Sequence, residues 1–256
     1  MRTFLRSIRA AVIFLTRVPV GGFPYSRAEW AWASAQFPFV GGLVGAATGA
    51  LFAALRPSGA LGAAVVAVGI SMLLTGAFHE DGLADTSDAL GGAFDRDKLR
   101  AILKDSRVGT FGAAALVVSI AGRAAFLARL SPSRAAAIVT AVAFVAASAR
   151  VGPVWQMVAL PYATDQGAKS RDVTRARMPQ ALVATTYAAL AAGLACAFGG
   201  LSPARAMAVV GVQIGVTLVT SYRYLVRLGG VSGDFLGATE QLAELAGLLV
   251  VAWGVS

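Results

Sequence analysis

The sequence has few of the residues that most metal and redox sites use, and it has few charges. Its single cysteine, Cys196, lies in an apolar run, which excludes a disulfide framework and a cysteine metal site. Its single histidine, His79, excludes a histidine-rich metal cluster. Charged residues make up only 14% of the 256 residues, whereas hydrophobic residues make up 57%. Because a soluble domain of this length cannot bury so much apolar surface, lipid must surround much of the chain.

Long apolar segments recur along the whole chain. Each has about the ~20 residues that a helix needs to cross a bilayer, and they predict seven spans near residues 37–55, 59–79, 111–128, 135–160, 181–201, 204–222 and 236–254. Residues 3–18 form an arginine-studded amphipathic stretch, which we expect to be retained and to lie at the membrane interface. The predicted fold class is therefore all-α: a multi-pass membrane bundle of about seven helices, forming one catalytic domain over residues 1–256.

The basic residues are distributed unequally between the two sets of loops that seven spans create. The N-terminal segment up to residue 36 and the loops 80–110, 161–180 and 223–235 hold sixteen of the 22 Lys and Arg. The short turns of the other set hold four, and none of the 13 acids. The positive-inside rule therefore predicts that the first set is cytoplasmic, with the N-terminus inside and the C-terminus outside. This distribution explains the net charge of +9 without nucleic-acid binding.

The segment from His79 to Asp88 is the first candidate for chemistry. Asp81, Asp85 and Asp88 are spaced i, i+4 and i+7, which places them within roughly 60° on one helix face. Clustered carboxylates repel each other unless a cation lies among them, and Mg²⁺ prefers carboxylates plus substrate phosphates. A solvated acidic helix end is the alternative, and Gly82 counts against it because glycine weakens a helix. For His79, a catalytic role and a hydrogen-bonded interface role are equally supported.

The second candidate segment, residues 103–112, combines two cations, two hydroxyls and two glycines just before a span. Glycine amides and cations suit a phosphate, and Asp105 is a further candidate metal ligand. A capped helix start with flanking positive charges is an equally supported alternative. The candidate substrate-binding residues here are Lys104, Ser106, Arg107, Gly109 and Thr110.

The third segment, residues 229–237, surrounds Asp234 with four glycines, as expected of a loop where a ligand approaches the backbone. Asp234 is a candidate catalytic group, with Gly230 and Gly233 as candidate binding positions. Glu240 and Glu244 follow inside the last span, where carboxylates are costly and often functional. For these two glutamates, pairing with the intramembrane arginines, Arg123 and Arg150, is favoured over direct catalysis.

The fourth segment is the basic loop 161–178. Arg171 and its neighbours suit an anionic substrate or lipid headgroups, although membrane orientation alone also explains their charge. Tyr162 can stack on a base or lie in the interfacial aromatic belt. We therefore include Arg171 and Tyr162 among the candidate substrate-binding residues.

Together these segments resemble the cobalamin synthase family, the adenosylcobinamide-GDP ribazoletransferases or cobalamin-5′-phosphate synthases. The resemblance spans nearly the whole chain, and the chain departs from the family pattern at Glu80, Arg100 and Thr164. The H-x-D-G-L-A-D-T-x-D and K-D-S-x-V-G-T-x-G strings are the most specific features. The matching segments are residues 16–19, 37–41, 79–88, 104–112, 160–163 and 229–237.

The resemblance implies a Mg²⁺-dependent enzyme of the cytoplasmic (inner) membrane, with its active-site loops on the cytoplasmic side. Such an enzyme joins adenosylcobinamide-GDP to α-ribazole or its 5′-phosphate and releases GMP. For this reaction we expect Asp81, Asp85, Asp88 and Asp105 to hold Mg²⁺. We expect catalytic roles for Asp81, Asp85 and Asp234, with His79 as an alternative base.

The expected partners are the two substrates and membrane lipid, with no nucleic acid. A homo-oligomer is compatible with small-residue patterns such as residues 41–45. A phospholipid-type CDP-alcohol phosphotransferase is the main alternative function, since it shares the metal and topology but releases CMP. An ion-coupled transporter is disfavoured because the outer turns are short and contain no acids.

Overall fold

The computed structural model describes residues 2–163 and 175–255, and every regular element in these ranges is a helix. The prediction of an all-α fold is confirmed. Short 3₁₀ turns at Ser34–Gln36 and Arg56–Ser58 flank the third α-helix. The α-helices are α1 (Arg2–Leu15), α2 (Arg27–Ala33), α3 (Phe37–Leu55), α4 (Ala60–Thr75), α5 (Phe78–Gly92), α6 (Arg96–Ile102), α7 (Thr110–Arg129), α8 (Ala135–Ala149), α9 (Val151–Ala159), α10 (Met178–Ala197), α11 (Pro203–Leu228) and α12 (Gly233–Ala252).

The chain is a multi-pass membrane protein. Within the described ranges, six helical segments are long and apolar enough to cross a bilayer, and the bent pair α4–α5 forms a seventh candidate. The prediction of about seven spans is therefore confirmed. The helix α1, predicted to lie at the interface, packs against α2 and α3. The six segments are Arg27–Ser58, Thr110–Arg129, Ala135–Ala159, Met178–Ala197, Pro203–Leu228 and Gly233–Ala252.

The second span is broken rather than continuous to residue 79 as predicted. Gly76 and Ala77 both have positive φ angles, 68° and 55°, which end α4 and turn α5 by 92°. Glycine is favoured at 76 because of this left-handed φ, and a Cβ there would also lie 2.2 Å from Nε of Arg17. Consequently residues 78–92 form a separate helix, in agreement with the helical spacing of the aspartates in residues 79–88.

Helices α3 and α8 form the most extensive helix pair. Glycines on one face of α3 allow this approach, since a Cβ on Gly45 would lie 2.7 Å from the carbonyl oxygen of Val142. A Cβ on Gly41 would lie 2.8 Å from the carbonyl oxygen of Ala146. The small-residue stripe that suggested contacts between copies of the chain is thus used inside the chain.

The two ends of the bundle differ in complexity. At one end, which we call the loop-rich end, α5 and α6 meet the start of α7, residues 161–163 and the start of α12. At the opposite end, short turns are held by arginine, as where Arg56 donates to the carbonyl of Ser131 at 2.7 Å. Most of the candidate chemistry therefore lies at the loop-rich end.

Candidate active site

Three aspartates on two helices define the surface that we call the aspartate face: Asp81 and Asp85 of α5 and Asp234 of α12. Asp81 is exposed, and Asp85 and Asp234 are half-buried. Asp234 lies in the first turn of α12, not in a loop as expected. Gly82 permits this meeting, because a Cβ there would lie 2.8 Å from the backbone oxygen of Asp234. The negative charges of Asp81, Asp234 and Asp88 all act on Asp85.

Among residues 2–163 and 175–255, no side chain supplies a counter-charge to the aspartate face. In the part of the chain that the structure describes, no cationic side chain forms an ion pair with Asp81, Asp85 or Asp234. Nor is any group of three or more His, Cys, Asp or Glu in that part placed to hold a metal ion by itself. The face therefore consists of exposed or half-buried carboxylate oxygens that repel one another.

Asp88 lies on the same helix, but its carboxylate accepts hydrogen bonds from two backbone amides of another helix start. One carboxylate oxygen accepts from N–H of Gly109 at 2.7 Å, and the other accepts from N–H of Gly112 at 2.9 Å. Glycine is needed at both positions, since a Cβ would lie 2.6 Å or 2.3 Å from this carboxylate. Asp88 thereby caps the start of α7 and ties it to α5. The Gly109 amide, predicted to meet a phosphate, donates to this carboxylate.

Asp105 forms an ion pair with Arg107. Two nitrogens of Arg107 donate hydrogen bonds to its carboxylate: Nη2 lies 2.6 Å from Oδ2, and Nε lies 3.0 Å from Oδ1. These hydrogen bonds lower the pKa of Asp105 to about 2 and raise the pKa of Arg107. Among the other candidate phosphate ligands, Lys104, Ser106 and Thr110 are exposed beside this pair. Asp105, a predicted metal ligand, is thus paired with an arginine in this structure.

His79 also lies away from the aspartates. Its side chain is buried against α12, where a Cβ on Gly237 would lie 3.4 Å from Cα of His79. Its Nδ1 is 3.9 Å from Oε2 of Glu240. A role for His79 as the base would require substrate to enter this closed interior.

Five charged residues form what we call the interior cluster: Glu80, Arg123, Arg150, Glu240 and Glu244. Arg123 Nη2 lies 2.8 Å from Oε1 of Glu80, and Arg150 Nη1 lies 2.9 Å from Oε1 of Glu240. Glu244 lies 3.7 Å from the first guanidinium and 3.5 Å from the second. The predicted pairing of the α12 glutamates with these arginines is confirmed. The partner of Glu80 was missed, although an acid in place of an apolar residue was a signal for it.

A cavity of about 920 Å³ lies beside the 229–232 loop at the loop-rich end. Pro161 and Tyr162 form part of its wall. The carbonyl of Pro161 accepts a hydrogen bond of 2.9 Å from N–H of Val231. Glycine at 230 permits this contact, since a Cβ would lie 2.0 Å from that carbonyl oxygen. Sequence reasoning missed the contribution of α2 to this wall, and Arg171 falls outside the described residues. The lining includes Arg27, Trp32, Tyr162, Arg175, Arg177 and Val231.

The chain is similar over nearly its whole length to proteins named adenosylcobinamide-GDP ribazoletransferase. One from Allorhizobium ampelinum is 38% identical, covering 98% of this chain and 98% of the relative. Others from Leptothrix cholodnii and Rhizobium etli are 39% and 42% identical, covering 93% and 84% of this chain and 92% and 84% of the relatives. No solved structure matches the chain. Residues 7–252 match the model of the family described as cobalamin-5-phosphate synthase, and the chain therefore belongs to that family.

Proposed function

We propose that this chain is an adenosylcobinamide-GDP ribazoletransferase, which joins its donor to α-ribazole or α-ribazole 5′-phosphate and releases GMP. The observation that carries the proposal is the aspartate face: carboxylates that form no ion pair with any described residue, at the loop-rich end of a chain of this family. Its membership rests on a match over residues 7–252. Relatives that bear this name are 35% to 42% identical to it.

The reaction is a displacement at phosphorus. A ribose hydroxyl oxygen of the acceptor forms a bond to the phosphorus that is linked to cobinamide. The bond from that phosphorus to the oxygen bridging it to GMP breaks, and GMP leaves with the electron pair. The hydroxyl proton must pass to a base. The protein must therefore position two substrates, neutralise charge on the diphosphate and accept one proton.

Charge on the aspartate face determines how the donor is bound. A diphosphate is repelled by Asp81 and Asp85 unless a cation lies between them. Mg²⁺ is commonly held by one or two carboxylates plus substrate phosphates, so these residues fit it without a three-carboxylate cage. We assign Asp81 and Asp85 as its protein ligands. Bound there, Mg²⁺ would neutralise negative charge on the diphosphate and on the departing GMP.

Asp88 and the α7 start support this surface. Because Asp88 accepts from two glycine amides, it fixes α5 against α7 and so fixes the orientation of Asp81 and Asp85. Lys104 is exposed next to α7 and is our candidate for a cation that contacts donor phosphate oxygens. Arg107 would do so while bound to Asp105. A direct metal contact by Asp88 or Asp105 stays a prediction.

Asp234 is our candidate for the base that accepts the acceptor proton. It is half-buried, and it carries no ion pair among the described residues. It also lies three residues after Val231, which lines the large cavity, and the charge of Asp81 acts on it. A carboxylate there can accept a proton from a hydroxyl that approaches from the cavity.

The loop-rich end is proposed to face the cytoplasm, with the bundle in the inner membrane. The support is charge distribution: sixteen Lys and Arg lie in the loops assigned to this end, and four lie in the opposite turns. Water-soluble substrates then reach the aspartate face from the cytoplasm. Membrane lipid would contact the exposed apolar side chains of the spans, and a homo-oligomer stays a prediction.

The activity is tested with the purified full chain, adenosylcobinamide-GDP and α-ribazole 5′-phosphate. We expect GMP release that stops on chelation with EDTA and returns on addition of Mg²⁺. Absence of GMP under every condition would exclude the proposed reaction. Release of CMP from a CDP-alcohol donor, with no GMP, would instead favour the phospholipid-type transferase.

Orientation is tested with single-cysteine variants in a Cys196→Ala background. Ser58→Cys reports the opposite end of the bundle, and Ser106→Cys reports the loop-rich end. A membrane-impermeant maleimide applied outside intact spheroplasts should label only the first variant. Labelling of the second alone would reverse the proposed topology.

A further inference from the structure

The large cavity has the opposite charge character to the aspartate face. Arg27, Arg175 and Arg177 line it, and no Asp or Glu of residues 2–163 and 175–255 does. No acid in those ranges forms an ion pair with Arg175 or Arg177. The guanidinium groups of Arg175 and Arg177 are therefore suited to bind phosphate oxygens directly, with no metal between them.

The cavity also offers a surface for an aromatic ring. Trp32 and Tyr162 contribute aromatic side chains to its wall, and Met157 and Leu160 contribute apolar ones. Its volume of about 920 Å³ lies within the usual range of small-molecule sites, roughly 300–1,000 Å³. Aromatic walls combined with cations are typical of sites for a base that carries a phosphate.

Hydrogen bonds join the elements that form the walls of the cavity. Nε2 of Gln180, in the first turn of α10, donates to the carbonyl of Ala31 in α2 at 3.4 Å. On the other side, N–H of Ala163 donates to the carbonyl of Val231 at 2.9 Å. Asp234 follows Val231 by three residues, so the cavity adjoins the aspartate face.

We propose that this cavity binds the acceptor as an aromatic nucleoside phosphate. Arg175 and Arg177 contact its phosphate, Trp32 packs against its base, and its ribose hydroxyl points toward Asp234. This inference rests on the proposed function and adds to it the location of the acceptor subsite and the residues that contact the acceptor phosphate and base.

The donor and the acceptor both carry phosphate, but the two phosphates require different surroundings. This difference indicates which substrate binds in the cavity. The donor diphosphate contains the bond that breaks, so it must lie where a cation and the base can act, at the aspartate face. The acceptor phosphate takes no part in the reaction, and it needs only charge and hydrogen-bond donors. A cavity whose described lining contains Arg175 and Arg177 and no acid fits that unreactive phosphate.

The first test compares acceptors in the purified full chain. Arg175→Ala and Arg177→Ala should each raise KM for α-ribazole 5′-phosphate about 10-fold or more, because a charge-assisted hydrogen bond is lost. KM for unphosphorylated α-ribazole should not change, and Arg177→Lys should recover part of the loss. Arg100→Ala, an exposed arginine of α6 outside the cavity, is the matched control. Equal changes for both acceptors, or none, would overturn the proposal.

The second test measures binding without the donor. α-Ribazole 5′-phosphate should quench tryptophan fluorescence in the wild-type chain, and Trp32→Phe should abolish that quenching. Quenching that persists in Trp32→Phe, or that unphosphorylated α-ribazole produces equally well, would contradict the assignment. This titration needs no catalysis. A wild-type chain that releases no GMP would therefore refute the proposed function while the cavity is still tested.

Discussion

The interior cluster and the aspartate face both contain several carboxylates, but the carboxylates are paired with arginines only in the interior cluster. In the interior cluster, two guanidinium groups lie within 3.7 Å of three carboxylates. On the aspartate face, three carboxylates lie near one another without a cation from the described protein. One group is buried among spans, and the other lies at the loop-rich end.

The interior cluster contributes to the stability of the fold, whereas the aspartate face is suited to bind a cation and substrate. A charge inside a membrane protein is expensive, and it persists only when an opposite charge compensates it. Repelling carboxylates at an accessible surface store unfavourable energy that a cationic ligand can release. Substitutions in the interior cluster should therefore reduce the stability of the fold, and substitutions on the aspartate face should reduce activity.

The largest effect is expected for Arg150→Met in the interior cluster. Loss of this guanidinium leaves Glu240 buried without its 2.9 Å partner, which should destabilise the fold by about 3–5 kcal/mol. The unfolding temperature of the purified protein in detergent measures this. Adding Glu240→Gln to the variant should recover most of the loss, since it removes the unpaired charge. Unchanged unfolding in Arg150→Met would show that the cluster does not stabilise the bundle.

A large effect of the other kind is expected for Asp81→Asn. GMP release should fall roughly 100-fold or more because a carboxylate is lost from the donor site. The unfolding temperature should stay the same or rise, since repulsion on the aspartate face decreases. Asp97→Asn, an exposed acid of α6, is the control and should retain activity. Wild-type rates in folded Asp81→Asn would remove this residue from the mechanism.

An intermediate effect is expected for Gly112→Ala, which tests the link between the aspartate helix and α7. A Cβ at 112 would lie 2.3 Å from Oδ2 of Asp88, so the two helices must move apart. We expect a destabilisation of about 1–3 kcal/mol and reduced GMP release. Gly211→Ala, where a Cβ meets open space, should instead stabilise α11 slightly. Equal behaviour of the two variants would contradict the capping role of Asp88.

The smallest effect is expected for Asp105→Asn. The folded pKa of about 2 lies below the ordinary value, so the ion pair stabilises fully above about pH 4 and is lost as the pH falls toward 2. Unfolding temperatures of variant and wild type should therefore run parallel between pH 5 and 8 and converge only below pH 4. If the difference in unfolding temperature between variant and wild type changed between pH 6 and 8, the assignment of this low pKa to Asp105 would be wrong.

The spans could be read from hydropathy because each needs only local composition. The helix α7, for example, was predicted over 111–128 and extends over Thr110–Arg129. The break before Phe78 could not be read in this way. It depends on a left-handed Ala77 and on the approach of Arg17 to Gly76 from a distant part of the chain.

The candidate site was predictable in its residues and less so in their partners. The i, i+4, i+7 spacing correctly placed Asp81, Asp85 and Asp88 on one helix. It did not show that Asp88 would accept from the Gly109 and Gly112 amides. That outcome depends on how α5 meets α7, which is a long-range contact.

By itself, the amino-acid sequence determined that lipid surrounds this chain, where helices cross it and which acids share a helix face, because these properties follow from composition and local periodicity. Only the tertiary structure decided which acids are neutralised and which stay uncompensated. Glu80 and Asp81 are neighbours in the chain, yet the first meets Arg123, 43 residues away, and the second meets no cation in the described structure. Charge compensation acts through distance in space, and helix packing sets that distance.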